Sequence, residues 1–247
     1  MSSIIVIGAS SGLGRRVAEI YASRGWRVGI AARRLELLQQ IAAAHPGMEA
    51  EAIDVCADDV ADRLDALSAR LGGADVVFNA AGCGWLNPPL DTASDLHTAR
   101  VDVVGFTAVA DWAFNHFRHA GRPGHFAAIT SVAGVKGLGI SASYSASKRY
   151  EWEYILALSQ LSNNLGLGIT FTDIRPGFVD TPLLNTAANR YPMLMSVDRV
   201  APLIVRAIDR RKRVAVIDWR WRILTALWKR IPNVLWRHFP LTRFLKN

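Results

Sequence analysis

Tyr144 and Lys148 stand four residues apart in Tyr144-Ser145-Ala146-Ser147-Lys148, a spacing that puts a phenol and an ammonium on one face of a helix. A free phenol ionises near pH ~10 and exchanges protons poorly at neutrality. A fixed cation beside it stabilises the phenolate and lowers that value. The pair can then give a proton to a carbonyl oxygen receiving hydride, or take one from an alcohol. Ser131 follows the apolar run Phe126–Ile129, so its hydroxyl is expected at the same rim, hydrogen-bonded to the reacting oxygen. Alone, the Tyr-Lys spacing describes an ordinary helix-surface pair, and its force depends on what surrounds it.

A second constellation suits a dinucleotide. The run Gly8-Ala9-Ser10-Ser11-Gly12-Leu13-Gly14 follows an apolar strand and opens a helix. Glycines there allow a tight turn and close backbone approach to a pyrophosphate seated on the helix N-terminus. The end of the next strand tells NAD from NADP. An acidic residue would bind ribose hydroxyls, but this chain has Ala31-Ala32-Arg33-Arg34. A guanidinium matches the 2′-phosphate of NADP in charge and geometry, so NADP(H) is the expected cofactor. A solvated arginine at a helix start is the plain alternative. Asp54-Val55 can hold the adenine edge, and Asn79 can brace backbone while Ala80 and Ala81 leave the cofactor room.

These groups need a scaffold that brings strand ends together. Short β-branched runs at 4–7, 27–31, 50–53, 75–78, 125–129, 169–174 and 214–217 alternate with helical periods at 13–24, 35–44, 58–71, 95–119, 144–164 and 200–209. The alternation predicts a Rossmann-type α/β fold: a doubly wound, parallel, seven-stranded sheet with helices on both faces, plus a C-terminal amphipathic tail. The oxidoreductase domain is expected over 1–213, with the last strand and a basic, Trp-rich extension over 214–247.

Taken together, the motifs resemble the short-chain dehydrogenase/reductase superfamily in its compact single-domain form. The likeness spans about Ile4 to Ile217 and follows family order: the GASSGLG turn, DV, NAAG, the serine thirteen residues before the tyrosine, YSASK, and Arg175-Pro176-Gly177-Phe178-Val179-Asp180-Thr181-Pro182. The resemblance implies that Ser131, Tyr144 and Lys148 are catalytic, and that Lys148 and Tyr144 also contact the cofactor. It further implies that Pro176 and Gly177, with Val179 and Thr181, line the nicotinamide. One position departs: Asp102 stands where the family commonly has an asparagine that helps hold a relay water. If that side chain matters, the added negative charge should raise the pKa of Lys148 and Tyr144. A solvent-facing helix residue is the alternative for Asp102.

The family places a mobile substrate lid after the PG segment, here Leu183 to Met195. Leu183, Leu184, Met193, Leu194 and Met195 could form a lipophilic lid or pack on the body. The tail carries charge of its own: from Arg206 to Asn247 there are twelve Lys/Arg against two Asp/Glu, within a net charge of +8 for the chain. Trp219, Trp221, Trp228 and Trp236 lie there, and Ile223, Leu224, Leu227, Trp228 and Ile231 share one helical face. Such a helix suits a membrane interface, the body of the domain or a subunit contact. No nucleic-acid motif accompanies the charge. The two cysteines form no disulfide framework or metal spacing, and no metal is expected. The start lacks the form of a signal peptide and no segment reaches a span, so a cytoplasmic protein is expected, with peripheral membrane contact through the tail left open. The family's habit of pairing through two long helices makes a homodimer or homotetramer the expected assembly. The leading function is NADP(H)-dependent interconversion of a carbonyl and an alcohol, on a lipophilic substrate. A non-catalytic NADP-binding scaffold, or a membrane-surface protein acting through its tail, are the alternatives.

Overall fold

In a computed structural model the described residues are 2–121, 123–184 and 191–241. Strand β1 (Ser3–Ile7) leads into helix α1 (Gly12–Ser23), followed by β2 (Arg27–Ala32), α2 (Leu35–Ala43), β3 (Met48–Ala52), α3 (Val60–Arg70) and β4 (Val76–Asn79). Helices α4 (Thr92–Ala99) and α5 (Phe106–Ala120) are joined by one wide π-type turn over Arg100–Gly105. Then come β5 (His125–Ile129), a short turn of helix at Val132–Val135, α6 (Ala142–Asn164), β6 (Thr170–Pro176), β7 (Val179–Asp180), β8 (Met195–Ser196), α7 (Val197–Asp209) and β9 (Val214–Ile217). The tail forms α8 (Trp219–Arg230) and α9 (Asn233–Trp236).

Seven strands make one parallel sheet in the order β3-β2-β1-β4-β5-β6-β9. The expected architecture is therefore present. Both faces of the sheet are buried, which is why its strands read as nearly continuous apolar runs. On one face Val17, Leu38 and Ile204 close over Ile4, Val6 and Ile30. On the other, Leu64, Phe106 and Ile155 close over Ile5, Ile7 and Phe126. Strand order reverses between β1 and β4, so a crevice opens beyond their carboxyl ends, where Ile7 is in register with Asn79.

One expectation needs correction, and two open alternatives are resolved. The single helix expected at 95–119 is three segments, and the π turn rotates Asp102 inward. Met195 is buried against the core and pairs in register with Val179 in a second, two-stranded sheet, while Met193 packs partly on the same core. Neither methionine is a free lid residue; Leu183 and Leu194 remain exposed, and positions 185–190 of the expected lid lie outside the described residues. In α8 the face towards the body is Trp221 and Thr225, with Trp228 partly covered, whereas Ile223, Leu224 and Leu227 point outward. Trp221 sets this rotation by packing directly on Gly177 and edge-on to Phe178, 5.5 Å between ring centroids.

Candidate active site

Gly8 ends β1 with φ of +82°, a left-handed conformation that favours glycine. A side chain there would meet the Ala81 nitrogen at 2.6 Å. The turn thus nests against the end of β4, where the Asn79 side-chain oxygen accepts the Ala81 N–H at 3.1 Å. Asn79 braces backbone, as its residue type suggested.

Around this turn lies a cavity of about 290 Å³. Its walls include Gly8, Ser10, Ser11, Gly12, Leu13, Gly14, Arg33, Arg34, Asp54, Val55, Ala80, Ala81 and Thr181. Residues expected from five separate strand ends are thus brought to one space. Arg34 is anchored by donating to the Ser10 hydroxyl at 2.8 Å, while Arg33 is exposed at the rim. Asp54 accepts the Cys56 N–H at 3.0 Å. Cys83, His97 and Val101 also line the cavity, and of these His97 and Val101 were not anticipated. Pro176, Gly177 and Val179 stand apart from these walls: Val179 is buried in the β7–β8 pairing, and Gly177 donates its N–H to Ile217.

Tyr144 and Lys148 leave the first turns of α6 beneath the loop that follows β4. A methyl group on Gly84 would collide with the Tyr144 ring, and one on Gly82 would lie 3.1 Å from Lys148 Nζ. The Lys148 ammonium sits 5.4 Å from the centre of the Tyr144 ring. Ser131 is buried at the end of β5, where its Oγ accepts the Ala133 N–H at 3.1 Å. Thr130 before it is fixed by donating to Asp173 at 2.6 Å and accepting from Trp152 at 2.9 Å.

Lys148 carries the most unusual surroundings. Its Nζ lies 3.0 Å from Asp102 Oδ2 and 2.8 Å from Glu151 Oε1. Asp102 is a buried residue and accepts the Cys83 N–H at 2.8 Å. Burial would lower the pKa of Lys148, but the two carboxylates outweigh it and hold the ammonium well above its ordinary range. The phenol of Tyr144 is raised, first by burial and then by Asp102, against the opposing pull of Lys148 and Ser131. Lys148 does pull this phenol down, but in the free protein loss of solvent outweighs it and the net shift is upward. Glu151 was not anticipated. A legible signal existed, because 148, 151, 152 and 155 form the buried stripe of α6, and an acid on such a stripe needs a partner.

A family model described as short chain dehydrogenase matches residues 2–191. The chain belongs to the short-chain dehydrogenase family of oxidoreductases. Among its relatives in this family is an uncharacterized oxidoreductase of Myxococcus xanthus, 35% identical over 244 residues, covering 94% of this chain and 93% of the relative. A cis-4-hydroxycyclohexanecarboxylate dehydrogenase of Sinomonas cyclohexanicum is 29% identical, covering 73% of this chain and 74% of its own. The fold is shared with a short-chain dehydrogenase from Sphingobium yanoikuyae in complex with NADPH, at a TM-score of 0.78 and 19% identity, covering 97% and 96% of the two chains. Among the described residues no helix is long and apolar enough to cross a membrane, and no cluster of potential metal ligands occurs.

Proposed function

We propose that this short-chain dehydrogenase interconverts a carbonyl and an alcohol using NADP(H), with Tyr144 as the proton donor or acceptor. The observation that carries the reading is the placement of Tyr144 and Lys148 behind the Gly82–Gly84 loop, next to a cavity rimmed by Arg33 and Arg34. A side chain on Gly8 or Gly14 would collide with neighbouring backbone, so glycine keeps the turn tight at the helix mouth where a pyrophosphate would sit. Gly8 to Gly14 would hold the pyrophosphate, Arg33 and Arg34 the 2′-phosphate, and Asp54 and Val55 the adenine. Thr181, which lines the cavity, would border the nicotinamide end. NADPH would supply the hydride.

The chain's own residues do the rest. Ser131 orients the substrate oxygen by hydrogen bonding. The Tyr144 hydroxyl gives its proton to that oxygen as negative charge develops there. Lys148 stabilises the phenolate left behind and binds the ribose hydroxyls. A phenol held above its ordinary pKa is protonated across the neutral range, the form in which it acts as the acid. The exposed Leu183 in the cavity wall favours a lipophilic carbonyl. A panel of ketones and aldehydes, followed by loss of NADPH absorbance and repeated with NADH, tests the reading. Turnover with NADPH in preference to NADH is expected; no turnover across lipophilic and small carbonyls contradicts it.

A second contact surface is favoured by the outward face of the tail. Trp219 is 61% exposed and Leu227 59%, with Ile223, Val234 and Leu235 also uncovered beside Arg220, Arg222, Lys229 and Arg230. Apolar side chains ringed by cations match an anionic lipid surface. Co-sedimentation with anionic vesicles is expected for the full chain and not for a Trp219→Ser, Leu227→Ser variant; equal sedimentation removes the idea. Self-association through α5 and α6 agrees with the exposed Leu156 and Leu161, and sedimentation velocity reads it.

A further inference from the structure

We infer that Asp102 and Glu151 hold one proton between them beside Lys148, and that this proton is the store from which Tyr144 is recharged after it protonates substrate. The second half rests on the proposed carbonyl reduction; the first half does not.

Charge accounting within the fold supports the sharing. Lys148 is 3% exposed, and Asp102 and Glu151 are each 0% exposed. With both carboxylates ionised, the trio would carry a net negative charge in a place that water does not reach, which is costly. One shared proton makes the trio neutral. The oxygens point the same way. Asp102 has its Oδ1 filled by the Cys83 N–H, whereas its Oδ2, 3.0 Å from Lys148 Nζ, and the Glu151 Oε2 are both buried without a hydrogen-bond partner. An unpartnered oxygen is far less costly on an acid than on a carboxylate.

Among the described residues no other charge resolves the excess. Asp173, on β6, adds repulsion at Glu151, and its neighbour Arg175 is engaged with it through two nitrogens. His97, on α4, offers Asp102 a weak attraction. Around Asp102 and Lys148 the Cys83 thiol is pushed up to about 12, first by burial and then by Asp102, and the Tyr144 phenol is raised too, so both add no charge at neutrality. Burial drives Glu151 far above the usual carboxyl range and raises Asp102 against the pull of Lys148. Lys148 stays charged.

Recharging then needs no outside group at the moment of reaction. As a Lys148 N–H proton moves to the Tyr144 phenolate oxygen, the carboxyl O–H proton moves to Lys148 Nζ, each bond's electron pair staying on the atom that lost the proton. The two acids end ionised, and water restores the proton later. Asp102 and Glu151 are in this sense positioning and proton-holding residues, acting through Lys148.

The sharing is tested on the full chain by capillary electrophoresis at pH 7. Asp102→Asn and Glu151→Gln are each expected to leave the net charge almost unchanged, because the remaining acid ionises to pair with Lys148. Glu153→Gln, whose side chain is 58% exposed, is the control and should add a full positive charge. A full added charge in either buried variant overturns the sharing. Should those variants fail to fold, carboxyl-carbon NMR of the unmodified protein labelled at glutamate decides. One glutamate wholly or partly protonated at neutrality supports the sharing, and none overturns it. The store is read by single-turnover stopped flow in weak buffer with a pH indicator. Proton uptake from solution should lag NADPH oxidation in the unmodified protein and coincide with it in Glu151→Gln. Simultaneous uptake in both, or no turnover, removes the store, whereas the electrophoretic result stands independently of any reaction.

Discussion

Lys148 holds its ammonium 3.0 Å from the carboxylate of Asp102, and both side chains are almost wholly shut off from solvent. Asp102 is therefore no solvent-facing helix residue. The wide turn at Arg100–Gly105 carries it inward, and π-type turns of this kind are frequently found at functional sites. Replacing a neutral side chain by an acid at this position changes what the lysine does. It becomes the counter-charge of a buried acid pair as well as the partner of Tyr144.

Removing that counter-charge should destabilise the fold. Lys148→Met leaves Asp102 and Glu151 buried without a cation, a loss on the order of 3 kcal/mol or more. The loss should be largest at neutral pH and shrink as pH falls, because the acids escape it by protonation. Chemical denaturation at pH 7.5 and 5.5 measures this, and an equal loss at both contradicts the charge origin.

The proposed preference for NADP(H) rests on the exposed Arg33 and on Arg34, which is tied to Ser10. Arg33→Ala removes a guanidinium expected on the 2′-phosphate and should weaken NADPH by about tenfold or more, while NADH changes little. Fluorescence titration with each cofactor reads the difference, and equal weakening refutes the phosphate role.

Gly84 lies directly against the Tyr144 ring. Gly84→Ala should therefore displace the phenol, lowering kcat by about a hundredfold while leaving NADPH affinity within about twofold, since a shift near 1 Å suffices for such losses. Steady-state kinetics separates the two, and unchanged kcat means that the loop yields.

Far from the site, His125 is buried with its Nε2 2.8 Å from Thr172 Oγ1. Burial first, then Arg211, pushes its pKa down to about 4. The folded protein keeps this ring neutral while the unfolded chain protonates it near pH 6.5. Its stabilising effect is present above about pH 6.5 and lost as pH falls towards about 4, amounting to about 3 kcal/mol. His125→Gln should flatten the fall of stability between pH 7 and 5, and an unchanged slope assigns it to other groups.

Much of this molecule was legible in its sequence, for identifiable reasons. Buried parallel strands demand apolar runs, and the crossover helices between them demand a period near 3.6, so Ile4–Ile7 and Phe126–Ile129 announced themselves. Gly8 and Asn79 were legible because a backbone conformation and a backbone donor dictate their types. Other features arise only in three dimensions. The two-residue pairing of Val179 with Met195 is set by tertiary contact and leaves no periodic trace. Likewise the rotation of α8 follows from Trp221 meeting Gly177, a contact that decides which way the apolar stripe at Ile223 and Leu227 faces and that the sequence alone leaves open. Glu151 escaped notice because a charged residue is normally assigned to solvent, although its position on the stripe of Lys148 and Ile155 was visible.

Tyr144→Phe tests the central claim most directly. It removes one hydroxyl and keeps the ring packed against Gly84. In carbonyl reduction by the full chain, kcat is expected to fall by about a hundred- to ten-thousand-fold while the Kd for NADPH stays within about twofold. Retention of kcat in this variant would contradict the assignment of Tyr144 as the proton donor.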